Sequence, residues 1–315
     1  MDDLTGLLLG EQPSLTRQQV AELAGVPFEV AHGVWQAMGF ADVEDGVPAF
    51  TRLDVEALRT ASGLLELGVI DADTLLIMAR AMGQGLSRLA EGQVDVLRGL
   101  TDGMTLDDAI LAAASSANEV VPRLEELVLF VWRRQFAAAV LRSVAAARQT
   151  GMPLLAVGFV DLVDFTRSTR TWDAAQLSRT LERFERDLSL RVGSVGGRVV
   201  KTLGDGVLFV TDDARSAAAV ALDTVEAHRA DDELPSVRAG VALGPILVRL
   251  GDVFGQPVNI ASRLTDEARP DSLLVDDAVA HELADDPAFA LRTLHRRSVR
   301  GYRSLVPHLV RRPQG

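Results

Sequence analysis

The chain has 315 residues, enough for about two domains of ordinary size, and its 48% hydrophobic and 24% charged residues exclude disordered and fibrous classes. Cysteine is absent, which excludes disulfides, zinc–thiolate sites, iron–sulfur clusters and a cysteine nucleophile. The net charge of −12 is uneven: residues 1–120 carry 19 acids and 6 bases, or −13, and residues 121–315 carry 25 acids and 26 bases, or +1.

Met1-Asp2-Asp3 has no basic n-region behind it, and no window approaches the roughly 18 apolar residues of a membrane span. No membrane span is expected, and cytoplasm is the expected compartment. From Leu15 to Asn118 the pattern predicts helices, broken at Gly25-Val26-Pro27, Gly39, Gly46-Val47-Pro48, Gly68 and Gly103. Thr16 to Val26 predicts a capped helix and a tight turn into a second helix, and Phe50-Thr51 opens another. The outline resembles the start of a MerR-like helix-turn-helix domain. Its DNA-reading segment would be Pro27 to Gly39, which has neither Lys nor Arg and includes Glu29. In so acidic a region that segment cannot neutralise phosphates, so no nucleic-acid partner is expected.

A boundary is expected near Pro122. From Arg123 to Thr150 there is neither Gly nor Pro, and Leu127, Phe130, Val131, Arg134, Ala138, Leu141 and Val144 recur at helical spacing. One long amphipathic helix should therefore join the two halves, pack its apolar face against a partner and end at Gly151-Met152-Pro153. After Pro153, strands alternate with helices in βαββαβ order with further C-terminal elements. The expected fold is α+β in two domains: an all-α domain over 1–120, a linker helix over 121–150, and a ferredoxin-like α/β domain over 151–315.

Chemistry concentrates in the last of these. The strand Leu154 to Val160 delivers Asp161 at its carboxyl end, and the segment through Leu162, Asp164, Phe165 and Thr166 turns its backbone N–H groups toward a possible anion. Gly204-Asp205-Gly206 places a second acid at a hairpin tip. Two carboxylates at separate strand ends suit hard divalent cations that also bind phosphate oxygens. Taken singly, each is equally a turn or cap residue. Of the 32 basic residues 31 are arginine, which leaves Lys201 as the single lysine.

Three segments, Phe159-Val160-Asp161-Leu162-Val163-Asp164-Phe165-Thr166, Lys201-Thr202-Leu203-Gly204-Asp205 and Asp252 to Arg263, coincide in order and spacing. Together they resemble the catalytic domain of the class III nucleotidyl cyclases over about residues 150–311. The resemblance implies an adenylate cyclase that forms cyclic AMP and pyrophosphate from ATP. Asp161, Asp205 and the Leu162 carbonyl would hold two Mg²⁺ or Mn²⁺ ions per site, and Asn259 would orient the ribose. Arg263 would stabilise the pentavalent transition state. Lys201 and Asp252 would read adenine, favouring ATP over GTP, Phe165 and Thr166 would contact the substrate, and Arg300 is either the substitute for a late-strand lysine that binds triphosphate or a surface arginine. The resemblance also implies a homodimer in which each site combines residues of both chains. Asp164 is either a neighbour of the metals or a helix cap.

The acidic helical part resembles the regulatory domain of proton-responsive cyclases. Clustered carboxylates that repel one another would have raised pKa values, and His32, the single histidine of this part, is either a contributor to such a response or an ordinary core or surface residue. The run Leu75-Leu76-Ile77-Met78 suits either a small apolar ligand or plain core. The rival expectation is a catalytically silent cyclase-like module that binds nucleotide and dimerises beneath a helix-turn-helix regulator.

Overall fold

The computed structural model describes residues 2–100, 103–147, 151–165, 170–299 and 302–313. The N-terminal helices are α1 (Asp2–Leu9), α2 (Arg17–Ala24), α3 (Phe28–Met38), α4 (Arg52–Glu66) and α5 (Ala72–Leu100). Thr16 caps α2 by accepting from the Gln19 N–H at 3.3 Å, and the Gln19 side chain accepts from the Thr16 N–H at 2.9 Å. This reciprocal pair satisfies two donors that the first helical turn leaves open. Gly25, with φ 71°, then ends the helix in the left-handed region that glycine enters without strain. The expected helix-turn-helix outline is therefore formed. Its core is built from Val20 and Ala21 of α2, Val34 and Trp35 of α3, Val55 and Leu58 of α4 and Leu75 of α5. Leu76 packs against that core whereas Met78 is exposed, so only the Leu75–Leu76 side of the run faces the core.

The electrostatics of this unit differ from the mutual repulsion expected. Arg17 donates to Asp42 at 2.9 Å and to Asp45 at 2.8 Å. Hydrogen bonds from Arg17 and Gln18 hold the Asp45 carboxyl below its ordinary value, and those from Thr74 do the same for Asp71. Local donors, rather than the net charge, set these groups.

The long helix α6 (Leu106–Ala147) starts earlier than expected and continues through Pro122. The missing N–H removes one rung of the helical ladder at a cost of about 3 kcal/mol, which long runs of good helix formers on either side outweigh. Phe130, Trp132, Phe136 and Leu141 on it are all more than half exposed. The chain divides into two compact units, residues 1–140 and 141–315. Among the described residues no helix is long and apolar enough to cross a membrane.

The second unit runs β1 (Leu154–Leu162), α7 (Ala174–Ser194), β2 (Arg198–Leu203), β3 (Gly206–Thr211), α8 (Ala214–Arg229) and β4 (Val237–Pro245). These are followed by the hairpin β5 (Leu247–Arg249) and β6 (Asp252–Phe254), then α9 (Gln256–Glu267), β7 (Ser272–Val275) and α10 (Asp277–Glu282). The last strands are β8 (Ala290–Thr293), β9 (Arg297–Val299), β10 (Tyr302–Leu305) and β11 (His308–Arg311). The main sheet has the order β2-β3-β1-β4-β7-β11-β8, and its first four strands are the antiparallel ferredoxin-like set.

Period-two alternation divides each strand between two cores. Val160 and Leu162 of β1, Val207 and Phe209 of β3 and Val237, Ala239 and Val241 of β4 meet α7 and α8. Val157, Leu208, Val210 and Ala242 meet Ala261 of α9 on the opposite face. Helix α9 lies close because Gly240 has no side chain; a Cβ there would come within 2.4 Å of the Ala261 carbonyl oxygen.

Asp276, buried at the end of β7, caps α10 through the Val279 N–H at 2.9 Å. Burial pushes its carboxyl up to about 6, so the folded chain keeps a proton that the unfolded chain releases. Its contribution to stability must then fall as pH rises from about 4 to about 6. The expected result is a thermal midpoint that decreases over this window in the full chain, and a smaller decrease in Asp276→Asn, followed by calorimetry across pH.

Candidate active site

Alternation places Asp161 on the α9 side of the sheet, in register with Gly206 of β3 on one flank and Arg238 of β4 on the other. Arg238 donates to Asp161 Oδ2 from Nε at 2.9 Å and from Nη2 at 2.7 Å, and its Nη1 donates to the Asp266 carbonyl at 3.2 Å. The second carboxylate oxygen faces the other flank, where a Cβ on residue 206 would lie only 3.2 Å from Oδ1. Glycine there leaves that oxygen accessible. Gly204, with φ 68°, turns the hairpin that carries Asp205, and the Leu162 N–H donates to the Asp205 carbonyl at 3.0 Å. The two acids are thereby tied together through backbone, independently of their side chains.

Burial raises the Asp161 carboxyl above its ordinary value, and the Asp205 charge adds to this against the hydrogen bonds from Arg238. A carboxylate held back from ionising by burial and by a neighbouring acid, with one oxygen left open, fits a divalent cation whose charge reverses that opposition. Among the described residues no group of three or more His, Asp or Glu forms a complete cage. The donor set of two carboxylates and a carbonyl instead suits a hard ion that takes its remaining ligands from phosphate and water.

These groups open into a cleft of about 470 Å³ lined by Asp161, Leu162, Asp164, Phe165, Arg170, Asp205 and Arg238. Asp164 has φ 56°, the left-handed region instead of the extended backbone of a helix cap, and it faces the cleft. Phe165 packs against the main core. Thr166 and Arg300 lie outside the described residues.

A second cluster forms where β2 meets the β5–β6 hairpin. Lys201 Nζ donates to Asp252 Oδ2 at 2.6 Å across 51 residues of sequence. Partial burial pulls the Asp252 carboxyl upward, but the hydrogen bonds from Lys201 and the Val253 N–H outweigh it and hold the group below its ordinary value. Both side chains are substantially exposed, and a pair so placed contributes only about 1 kcal/mol or less to stability. A β-bulge between Val199 and Lys201 brings Arg198 and Lys201 to the same face, although three residues apart they would alternate in a regular strand. Arg198 Nη1 accordingly donates to the Gly251 carbonyl at 3.0 Å and braces the turn that presents Asp252.

Asn259 and Arg263 lie one turn apart on α9, Asn259 exposed and Arg263 donating to Asp266 at 3.2 Å. Neither they nor Lys201 and Asp252 line the cleft that holds the two acids. The structure thus joins Asp161 with Asp205 and Lys201 with Asp252, but keeps these sets apart within one chain. Arg238, Arg170 and Arg198 were missed from sequence. Only Arg238 had a signal, as a lone charge inside the apolar strand Val237 to Leu243.

Residues 149–311 match the adenylate and guanylate cyclase catalytic domain, and residues 5–135 match the adenylate cyclase regulatory domain. An adenylate cyclase of Streptomyces coelicolor is 41% identical, over 99% of this chain and 90% of the relative. One from Streptomyces griseus is 42% identical over 89% of this chain and 71% of its own length. A pH-sensitive adenylate cyclase of Mycobacterium tuberculosis is 32% identical over 87% and 71%. The chain therefore belongs to the adenylate and guanylate cyclase family, with an adenylate cyclase regulatory domain ahead of its catalytic domain.

Proposed function

We propose that the protein is a homodimeric adenylate cyclase that converts ATP to 3′,5′-cyclic AMP and pyrophosphate under the control of its N-terminal unit. The observation that carries this reading is the Lys201–Asp252 pair. An ammonium donates to adenine N1 and a carboxylate accepts from the N6 amino group, a pattern that guanine would not satisfy. The 3′-hydroxyl gives up its proton to water as its oxygen attacks the α-phosphorus in line, the bond to the bridging oxygen breaks, and pyrophosphate leaves with the displaced electron pair. Asn259 orients the ribose for that attack, and the Arg263 fork of donors meets the charge that grows on the phosphoryl oxygens. Two Mg²⁺ or Mn²⁺ ions held by Asp161, Asp205 and the Leu162 carbonyl would lower the pKa of the 3′-hydroxyl and neutralise the leaving group.

The separation of the acids from Asn259, Arg263 and the base-reading pair supports a site completed by a second copy. So does the exposed apolar surface of α6. Protons are the effector suggested by the similarity to a pH-sensitive relative. The silent-module reading beneath a DNA-binding domain is disfavoured by the segment 27–39, which lacks any Lys or Arg.

The test is product formation from ATP and from GTP by the full-length protein and by Lys201→Ala. The expected loss in kcat/KM for ATP is about tenfold or more, with a reduced preference over GTP. Lys201→Arg should not restore it, because a guanidinium fork does not reproduce a compact ammonium. An unchanged ATP-to-GTP ratio would sink the assignment of the pair to adenine.

A further inference from the structure

We propose that Arg198 is a positioning residue for nucleotide choice: through the turn at residues 250–251 it holds Asp252 where that carboxylate meets the N6 amino group, a role that rests on the adenine-reading assignment above. The hairpin that carries Asp252 has little else to place it. Strands β5 and β6 form a two-stranded sheet separate from the main one, and such a pair is marginal by itself. β5 is exposed throughout, and of β6 only Val253 is buried, in the core shared with α9. Arg249 pairs with Asp252, so Leu250 and Gly251 make up the whole turn, with φ 51° and 80°. Glycine takes this left-handed region freely, whereas leucine enters it only with strain.

Two donors orient the carboxylate, Lys201 on Oδ2 at 2.6 Å and the Val253 N–H on Oδ1 at 2.8 Å. Neither fixes the backbone from which that side chain springs. Arg198 does so, because its Nη1 donates at 3.0 Å to the carbonyl of Gly251, the peptide that leads directly into Asp252. The bulge in β2 sets Arg198 opposite Val210 and Lys201 opposite Leu208, two residues that share one face of β3. One short strand thus supplies both the cation that reads the base and the cation that places its acidic partner. Burial and the Arg142 charge push the Arg198 guanidinium below its ordinary value, and the Asp252 charge opposes them. Arg198 and Asp252 therefore favour each other electrostatically as well as through the turn. When the Lys201 ammonium is shared with adenine N1, the Arg198 bond remains as a tie from β2 to the turn.

The test compares kcat/KM for ATP and for purine riboside triphosphate, which is ATP without its N6 amino group. It uses the full-length protein, Arg198→Met, Arg198→Lys, Asp252→Ala and the double variant Arg198→Met with Asp252→Ala. Methionine keeps much of the stem and removes the donors. The preference for ATP over the analogue should fall about fivefold in Arg198→Met and about tenfold in Asp252→Ala, and no further in the double variant, since both act through one carboxylate. Arg198→Lys keeps one donor and should retain part of the preference; it reads the same ratio should Arg198→Met not fold. An equal loss toward both nucleotides overturns the proposal, because it marks a general disturbance of the site. A preference within about twofold of the parent in Arg198→Met, beside a loss in Asp252→Ala, overturns it while the adenine-reading assignment stands. A preference unchanged in Asp252→Ala removes that assignment and this proposal with it.

Discussion

Asp205→Ala is expected to reduce cyclic AMP formation by about three orders of magnitude, the scale of several kcal/mol of charge stabilisation at a metal-assisted phosphoryl transfer. The fold should survive the change. The contact that Asp205 makes with β1 runs through its backbone carbonyl, which accepts from the Leu162 N–H, and the hairpin turn depends on Gly204. The carboxylate itself sits half-buried at the tip. Asp161→Ala is the less clean experiment. It would strip Arg238 of the oxygen that receives two of its N–H groups, leaving a partly buried guanidinium unpaired, so lost activity and lost stability would arrive together. A parent-like thermal midpoint with activity reduced a thousandfold in Asp205→Ala supports the metal role; activity within about tenfold of the parent rejects it.

The parts of this site that sequence made legible are those in which neighbouring residues carry the information. An apolar strand ending in Asp161, a Gly-Asp-Gly hairpin tip and a helix with Asn259 and Arg263 four apart are all local patterns, and each element forms as expected. What stayed hidden depends on pairing between distant strands. The fork of Arg238 on Asp161 spans 77 residues and exists only because β1 and β4 take one antiparallel register. The brace from Arg198 to Gly251 needs a bulge that shifts the alternation of β2, and nothing in Arg198-Val199-Val200-Lys201 announces where a strand will break step. Proline misled in the opposite direction. Pro122 read locally as a stop, but a helix as long as α6 absorbs one missing hydrogen bond. In the N-terminal unit, net charge suggested raised carboxyl values, whereas the donors beside Asp45 and Asp71 push them down. Charge summed along a sequence carries no information about which side chains meet.

The separation of the two clusters within one chain leads to the most discriminating result expected of this protein. Asp205→Ala and Arg263→Ala should each be nearly inactive, yet the two expressed together should recover about a quarter of parental activity. If each site takes its acids from one copy and Asn259, Arg263, Lys201 and Asp252 from the other, a mixed dimer carries both lesions in one site and leaves the second site intact. Random pairing makes half the dimers mixed, and each of these has one working site of two. Placing both substitutions on the same chain and pairing it with the parent chain gives the opposite outcome, since each site of the mixed dimer then contains one lesion. Recovery in the first mixture, and none beyond the residual parental dimers in the second, requires a site shared between copies. Absence of recovery in the first, with dimers verified by light scattering, would place all the catalytic residues in a single chain. In that case Asn259 and Arg263 must reach the acidic cleft by a movement of α9, and the close seating of that helix on Gly240 opposes such a movement.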